Sequence, residues 1–215
     1  MKKLRYSIIA LLAVLAFGFT ACEEDQTANI SEVTYFPSFE LQGENPYLID
    51  AGNPPASYED PGVTVTEEGE EIEYDISHNV DVNTKGFYTV TYSATNKDGY
   101  SAQETRTVIV GCPGDLDKTL TVTGEAESSL GFTYEVSVER ADNGKFKFNE
   151  ITGAFNVAIQ SEIGIVCDEV VTGSSSYGMY DSATLDLENN QLVITWSYPP
   201  LGYSGVTTTI PVTYN

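Results

Sequence analysis

The sequence is poor in the residues on which most enzyme chemistry depends. It contains one histidine, His78, three cysteines and one tryptophan among its 215 residues. A single histidine, with no Gly-x-Ser-x-Gly nucleophile motif, excludes the common serine and cysteine triads. No Cys/His pair has metal-ligand spacing. We therefore expect a protein that is not an enzyme, with no catalytic residues, no metal site and no cofactor.

Basic residues are also scarce. The chain has 10 Lys and Arg against 32 Asp and Glu, a formal net charge of −22 and a sequence pI near 4.1. Three of the basic residues precede residue 6, so a mature chain beginning at Cys22 keeps 10 − 3 = 7 of them and has a formal charge of 7 − 32 = −25. This charge repels nucleic acid and anionic lipid head groups, so neither is an expected partner.

The basic start is followed by an apolar stretch at residues 8–19, which is too short to span a bilayer. It leads into Phe19-Thr20-Ala21-Cys22. This arrangement resembles a bacterial lipoprotein signal peptide, which is cut before the cysteine. The resemblance implies a signal peptide at 1–21 and a Cys22 that carries acyl chains and anchors the protein in a membrane. An ordinary signal peptide cut near Ala21, or a transmembrane anchor, is the alternative.

An acidic cluster, Glu23-Glu24-Asp25, comes directly after this cysteine. It resembles the surface-export signal of Bacteroidota lipoproteins, and residues 22–32 are then an acidic tether. The resemblance implies an outer-membrane, lipid-anchored protein exposed on the cell surface. The alternative is an anchor on the same membrane that faces the periplasm.

The rest of the chain shows no sustained helical periodicity. Thr, Val, Tyr and Ile recur in short alternating runs separated by Gly, Pro, Asn and Asp, which predicts an all-β fold. Turn residues cluster at 111–115, so we predict a domain at 33–110, a linker at 111–115 and a second domain at 116–215. Two small β-domains leave little material for the deep cleft of a two-carboxylate glycosidase.

The first predicted domain carries three informative segments, DPGVTV at 60–65, KGFYTVTYSATNKDG at 85–99 and TRTVIV at 105–110. Together they are similar to the bacterial immunoglobulin-like (Ig-like) domain of surface proteins. The resemblance implies an Ig-like β-sandwich with a tight hairpin turn at 96–99. Sandwiches of this kind serve as spacers, adhesion modules and glycan-binding supports, so the resemblance leaves the function open.

The second predicted domain has strand patterns near 118–123, 132–139, 145–149, 165–171, 183–187, 191–198 and 206–214. Seven short strands predict a small antiparallel β-sandwich or barrel. The whole layout resembles Bacteroidota surface lipoproteins with an Ig-like domain and a further C-terminal β-domain. That resemblance suggests an accessory module of a polysaccharide-uptake system, with polysaccharide and an outer-membrane transporter complex as partners. A structural spacer or protein-adhesion lipoprotein is the alternative.

Aromatic residues of the second domain are the candidate ligand contacts. Tyr177 and Tyr180 lie in a Ser/Gly-rich segment, and Trp196 and Tyr203 flank a Pro/Gly turn. Flat rings held rigidly by loops can stack on sugar rings. The alternative for Trp196 is the core, because strand alternation places it on the same face as Ile194 and opposite Val193.

Three further features leave alternatives open. Cys112 and Cys167 form either one disulfide or two packed thiols, because the sequence does not show whether their Cα atoms are close enough to be bridged. Asp181-Ser182-Ala183 resembles the O-glycosylation motif of Bacteroidota envelope proteins, which makes Ser182 a candidate acceptor. The acidic run at 67–75 is a Ca²⁺ site or a solvated hairpin rim, and its spacing favours the rim.

Overall fold

The computed structural model of the chain describes residues 33–155 and 157–215. The predicted signal peptide at 1–21, the lipidation site Cys22 and the tether at 22–32 lie outside the described residues. The described part is built of strands with three short 3₁₀ helices and contains no α-helix, which confirms the all-β prediction. Residues 36–215 form one compact unit, and the predicted domain boundaries at 33–110, 111–115 and 116–215 stay predictions.

The N-terminal half is a sandwich of two sheets. One sheet has the order β1-β3-β4, and the other has the order β2-β7-β6-β5, in which β2 runs parallel to β7 and the remaining pairs are antiparallel. The strands are β1 Ser38–Leu41, β2 Tyr47–Asp50, β3 Val63–Glu67, β4 Glu70–Glu71, β5 Asp75–His78, β6 Gly86–Thr95 and β7 Ser101–Gly111.

Strand alternation places one set of side chains between these two sheets. Val90, Tyr92 and Ala94 of β6 point inward and pack with Val65 of β3 in a buried cluster. The predicted turn closes this hairpin, because the amide of Gly99 donates to the carbonyl of Asn96 at 3.0 Å and Gly99 has φ 86°.

A buried arginine ties the edges of this sandwich together. Arg106 is fully buried and donates to the carbonyls of Gln42 and Gly62 and to the Tyr92 hydroxyl. Asp60 lies 3.7 Å from the Arg106 Nε and accepts hydrogen bonds from the hydroxyls of Tyr58 and Tyr92. A buried charge must be paired and hydrogen-bonded to be tolerated, and Arg106 meets both conditions.

The C-terminal half is a second antiparallel β-structure with its own core. A four-stranded sheet, β11-β12-β13-β14, faces a sheet of order β10-β9-β17-β16-β15, to which β8 is added at the end of β17. The strands are β8 Leu120–Val122, β9 Ala126–Ser128, β10 Thr133–Tyr134, β11 Val138–Arg140, β12 Phe146–Phe148, β13 Ser161–Val166, β14 Glu169–Ser175, β15 Tyr180–Asp186, β16 Gln191–Tyr198 and β17 Tyr203–Tyr214.

The core of this half follows from the alternation of β16 and β17. Leu192, Ile194 and Trp196 are fully buried on one face of β16, and Ile210 of β17 joins them. Each such side chain contributes about 1.5–3 kcal/mol by leaving water. The 3₁₀ helices lie at Asp115–Asp117, Ser176–Gly178 and Pro199–Leu201.

Two strand predictions in this half are wrong. The pattern at 132–139 predicts a single strand, but Thr133–Tyr134 and Val138–Arg140 are separate strands that belong to different sheets. The pattern at 165–171 predicts a single strand, but Cys167 and Asp168 have φ values of 50° and 64° and form the two-residue turn between β13 and β14. The turn contains no glycine that would have indicated it, and the apolar residues on both sides of it, Val166 and Val170, read as parts of one strand.

The two halves meet at a covalent and hydrogen-bonded junction. Cys112 and Cys167 form a disulfide with a Cα–Cα distance of 5.1 Å. The buried carboxylate of Asp115 accepts hydrogen bonds from the amides of both cysteines, at 2.7 and 3.1 Å. Gly111 must lack a side chain, because a Cβ there would overlap Asp115. Phe87 of β6 packs directly on Gly164 of β13, so the halves have little freedom to separate.

Candidate functional site

Trp196 does not belong to any ligand surface. Its side chain is fully buried, and the indole N–H donates to the Thr208 hydroxyl at 3.2 Å, which in turn donates to the carbonyl of Ile151 at 2.7 Å. The proposed sugar-stacking role is therefore wrong for Trp196. The core alternative is right, because Trp196 shares its strand face with Ile194 and has its one polar atom satisfied.

Trp196 instead packs against a group of rings at the place where β16 ends and β17 begins. Phe155 meets Tyr198 and Tyr203 edge to face, with centroids 5.8 and 5.7 Å apart and interplanar angles of 82° and 85°. Tyr203 also lies 5.6 Å from the Trp196 ring. Edge-to-face pairs of this kind contribute about 0.5–1.5 kcal/mol each beyond their burial. We call Phe155, Tyr177, Tyr180, Tyr198, Leu201 and Tyr203 the aromatic tip.

The loop that carries Phe155 is organised by one carboxylate. Glu150 Oε1 accepts hydrogen bonds from the amides of Thr152 and Gly153 at 2.6 and 3.0 Å, and Oε2 accepts one from the amide of Ile159 at 3.0 Å. Three backbone donors that no strand satisfies are thereby paired. Gly153 has φ 59° and lies under the Tyr134 ring, so no larger residue fits there. Sequence reasoning missed this loop because it has no alternating pattern.

Tyr177 presents its ring to solvent from a strained backbone. It is 71% exposed and has φ 63° and ψ 13° within the 3₁₀ helix Ser176–Gly178. The neighbouring Ser176 is fixed to Gln160, with its amide donating to the Gln160 carbonyl at 2.8 Å and its hydroxyl accepting from the Gln160 amide at 3.0 Å. The ring is therefore exposed on a fixed segment.

The other two predicted tyrosines are half-buried. Tyr180 lies against Gly173, where a Cβ would overlap its ring, and burial raises the pKa of its hydroxyl. Tyr203 packs on Phe155 and Trp196. The structure therefore keeps Tyr177 as an exposed ring and Tyr180 and Tyr203 as partly covered ones. Leu201, in the turn between β16 and β17, is 62% exposed. The sequence did not indicate it as a candidate ligand contact.

Polar groups beside the aromatic tip include a carboxylate, whereas the described basic side chains have partners elsewhere. All seven basic residues of 22–215 lie in the described part, and each contacts a carboxylate, a carbonyl or a ring elsewhere: Lys85, Lys97, Arg106, Lys118, Arg140, Lys145 and Lys147. The nearby Asp181 accepts a hydrogen bond from the Ser197 hydroxyl at 2.6 Å. The tip thus offers rings, hydroxyls and a carboxylate to a ligand, and the described basic side chains are committed elsewhere.

The remaining predicted features occupy separate places. Ser182 is exposed on β15, next to a bulge between Tyr180 and Ser182, and its O-glycosylation stays a prediction. Glu67 and Glu68, at the start of the acidic run, lie on the β3–β4 hairpin, and both pair with Lys97 of the turn between β6 and β7. Within the described residues no group of three or more His, Cys, Asp or Glu is placed to hold a metal ion.

Two further observations concern cavities and membrane spans. A depression of about 390 Å³ lies on the N-terminal half, away from the aromatic tip, and is lined by Tyr47, Ile49, Pro55 and Tyr58 among others. In residues 33–155 and 157–215, no helix is long and apolar enough to cross a membrane.

Residues 39–110 match the bacterial surface protein Ig-like domain. This match confirms the predicted Ig-like domain at the N-terminus. Among solved structures, the crystal structure of a lipoprotein from Bacteroides thetaiotaomicron is similar to this chain, with 23% identity and a TM-score of 0.39, and the alignment covers 83% of this chain and 100% of that one. No curated protein is significantly similar to the chain in sequence.

Proposed function

We propose that this protein is a non-catalytic, lipid-anchored module of the bacterial cell surface whose aromatic tip binds polysaccharide. The match of residues 39–110 to a surface-protein domain supports the surface position. Cys22, at the end of a lipoprotein-like leader, supports an outer-membrane anchor. Acyl chains on that cysteine bind the membrane stably when more than one is attached.

The observation that carries the binding proposal is the conformation of Tyr177. A left-handed backbone disfavours tyrosine, and a ring that is 71% exposed gains little from the hydrophobic effect. Both features work against folding stability, and glycine or asparagine would fit this position better. Backbone strain that the fold does not need is typical of ligand contacts. The flat exposed ring suits the C–H face of a sugar.

The charge distribution narrows the ligand to a neutral polysaccharide. Uronate or sulfate groups need cations, and the seven basic side chains of the mature chain have partners elsewhere in the protein. The overall charge of the mature chain repels a polyanion as well. Hydroxyls of a neutral glycan can pair with the Asp181 carboxylate and with serines of the Ser174–Ser176 segment.

The test is affinity electrophoresis of residues 23–215 against neutral glucans, mannans and xylans, with pectin and chondroitin sulfate as anionic comparisons. We expect saturable retardation by at least one neutral polymer and none by the polyanions. Tyr177→Ala should weaken binding about fivefold, the loss expected for one stacking contact of about 1 kcal/mol.

The matched control is Tyr100→Ala, which removes another exposed tyrosine ring, from the N-terminal half. This variant should bind as the parent does. Equal losses in both variants, or retardation by the polyanions alone, would contradict the proposal.

We extend the proposal to a partner, an outer-membrane transporter complex that takes up the captured glycan. The layout of anchor, Ig-like domain and C-terminal β-domain supports this extension by resemblance. Chemical cross-linking on intact cells should join the protein to an outer-membrane protein, and the absence of any such product would contradict it.

A second candidate is a structural spacer or protein-adhesion lipoprotein. The junction favours it, because the Cys112–Cys167 disulfide and the Asp115 hydrogen bonds fix one half of the chain against the other. If no polysaccharide in the panel binds, this function takes the place of glycan capture.

A further inference from the structure

A second group of exposed aromatic residues lies on the N-terminal half. Phe36 is 59% exposed and Tyr100 is 52% exposed, and their ring centroids are 5.5 Å apart. Two large rings that contact each other outside the core form a continuous apolar surface, whereas single exposed apolar residues are common and need no explanation. We call Phe36 and Tyr100 the entry patch.

The entry patch lies at the end of the Ig-like domain away from the junction. The β6 strand starts at Gly86, beside the junction residue Phe87, and ends at Thr95. Tyr100 follows the turn after Thr95, and β7 then returns to the junction at Gly111. Ten strand residues at about 3.3 Å each separate this end from the C-terminal half by about 30 Å.

The entry patch is also where the chain arrives from the proposed anchor. Phe36 lies two residues before the start of β1 and is fourteen residues after Cys22. A segment of that length spans at most about 50 Å at ~3.5 Å per residue. Acyl chains on Cys22 would therefore keep this end of the domain within about 50 Å of the bilayer, while the aromatic tip lies on the other half of the molecule.

We propose that the entry patch rests on the membrane interface, with Phe36 and Tyr100 inserted at the level of the lipid head groups. This inference depends on the proposed acylation of Cys22. Tyrosine favours this interface, because its apolar ring and its hydroxyl are both satisfied there, and Phe36 adds apolar area beside it. Asp98 is two residues before Tyr100, and the neighbouring Lys97 is paired to Glu68 at 3.4 Å. The patch therefore suits neutral or zwitterionic head groups and is repelled by anionic ones.

The test uses tryptophan as a depth probe in the acylated full-length protein. Trp196 is the only tryptophan and is fully buried, so lipid quenchers do not reach it. Phe36→Trp and Tyr100→Trp each add one exposed probe, and Tyr177→Trp adds a control probe on the aromatic tip. Each protein is reconstituted in phosphatidylcholine vesicles with and without bromine on the acyl chains.

We expect brominated lipid to lower the emission of the added tryptophan at positions 36 and 100 about twofold and to leave that at position 177 unchanged. The same probes should be quenched less in vesicles rich in phosphatidylglycerol. If the mass of the protein shows that Cys22 is acylated but the probes at 36 and 100 are not quenched, this inference is wrong and the proposed function is unaffected. Equal quenching at 177 also overturns it, because the protein would then lie flat on the bilayer. If the mass of the protein shows no acyl chains on Cys22, both the proposed anchor and this inference are wrong.

Discussion

Tyr177 and Trp196 show how neighbouring residues decide what an aromatic side chain does in this protein. Trp196 sits at an inward position of β16, and Thr208 accepts its N–H, so the ring serves the core. Tyr177 lies outside any strand, and its left-handed backbone turns the ring to solvent. The alternation of Ile194 and Trp196 could be predicted from the sequence, whereas the backbone angles of Tyr177 could not, because no glycine indicates a positive φ there.

At the residue scale, we predict that Tyr177→Asn separates stability from binding. Asparagine tolerates the left-handed region, so the free energy of unfolding should rise by about 0.5–1 kcal/mol. Polysaccharide binding should fall about fivefold, because the stacking ring is lost. Urea denaturation and affinity electrophoresis of the same preparation measure the two effects. A loss of stability in this variant would show that the Tyr177 ring supports the fold instead.

At the element scale, the loop between β12 and β13 depends on Glu150. Glu150→Gln exchanges one carboxylate oxygen for an amide that cannot accept from the backbone donors it faces. We expect the free energy of unfolding to fall by about 1–3 kcal/mol, the cost of an unsatisfied buried donor. Glycan binding should also weaken, because Phe155 loses its support.

The matched control for the loop is Glu139→Gln. Glu139 is largely exposed and pairs with Lys147 at 3.8 Å, so its loss should change stability by less than about 0.5 kcal/mol. Equal effects of the two substitutions in urea denaturation would argue against an organising role for Glu150.

The Asp60 network of the Ig-like domain makes stability depend on pH. Burial opposes ionisation of Asp60, but hydrogen bonds from Tyr58, Tyr92 and the Gly62 amide, with the charge of Arg106, outweigh it and hold the pKa of this carboxyl below its usual value. A lowered folded-state pKa gives stability that is complete above the unfolded value, near 3.9, and is lost as the pH falls through the folded value.

We therefore expect the free energy of unfolding of the parent protein to fall more steeply below about pH 4 than that of Asp60→Asn. Asp81 and Asp186 also have lowered pKa values, through hydrogen bonds from Asn83 and Asn189. Both proteins share these two groups, so the difference between their urea-denaturation curves from pH 7 to 3 isolates Asp60. Parallel curves would contradict this account.

The elements differ in how far the sequence predicts them. The alternation at 191–198 gives the bounds of β16, and the glycine at 144 marks the hairpin in which its amide donates to Ala141. The turn at Cys167 and Asp168 was not predictable in this way, because it contains no glycine and has apolar residues on both sides. The position of Phe155 depends on the hydrogen bonds of Glu150 within the loop and on ring contacts with Tyr198 and Tyr203, which are distant in sequence, and no alternating pattern indicates either.

At the scale of the whole molecule, each half has one aromatic surface away from the junction. The disulfide and Asp115 hold the halves together, and Tyr214 at the end of β17 lies beside this junction while Tyr203 at its start belongs to the aromatic tip. Twelve residues of one strand thus connect the junction to the proposed binding surface. This arrangement would let the proposed anchor hold one end while the other end meets the proposed ligand.

The central claim is that the aromatic tip is the surface that binds neutral polysaccharide, and amide chemical-shift mapping tests it most directly. Residues 23–215, labelled with ¹⁵N, would be titrated with oligosaccharides of the neutral polymer that retards the protein. We predict saturable shifts confined to residues 153–160, 176–180 and 198–203, and their loss in Tyr177→Ala. Shifts confined to the Ig-like domain, or no shifts with any neutral oligosaccharide, would contradict the account.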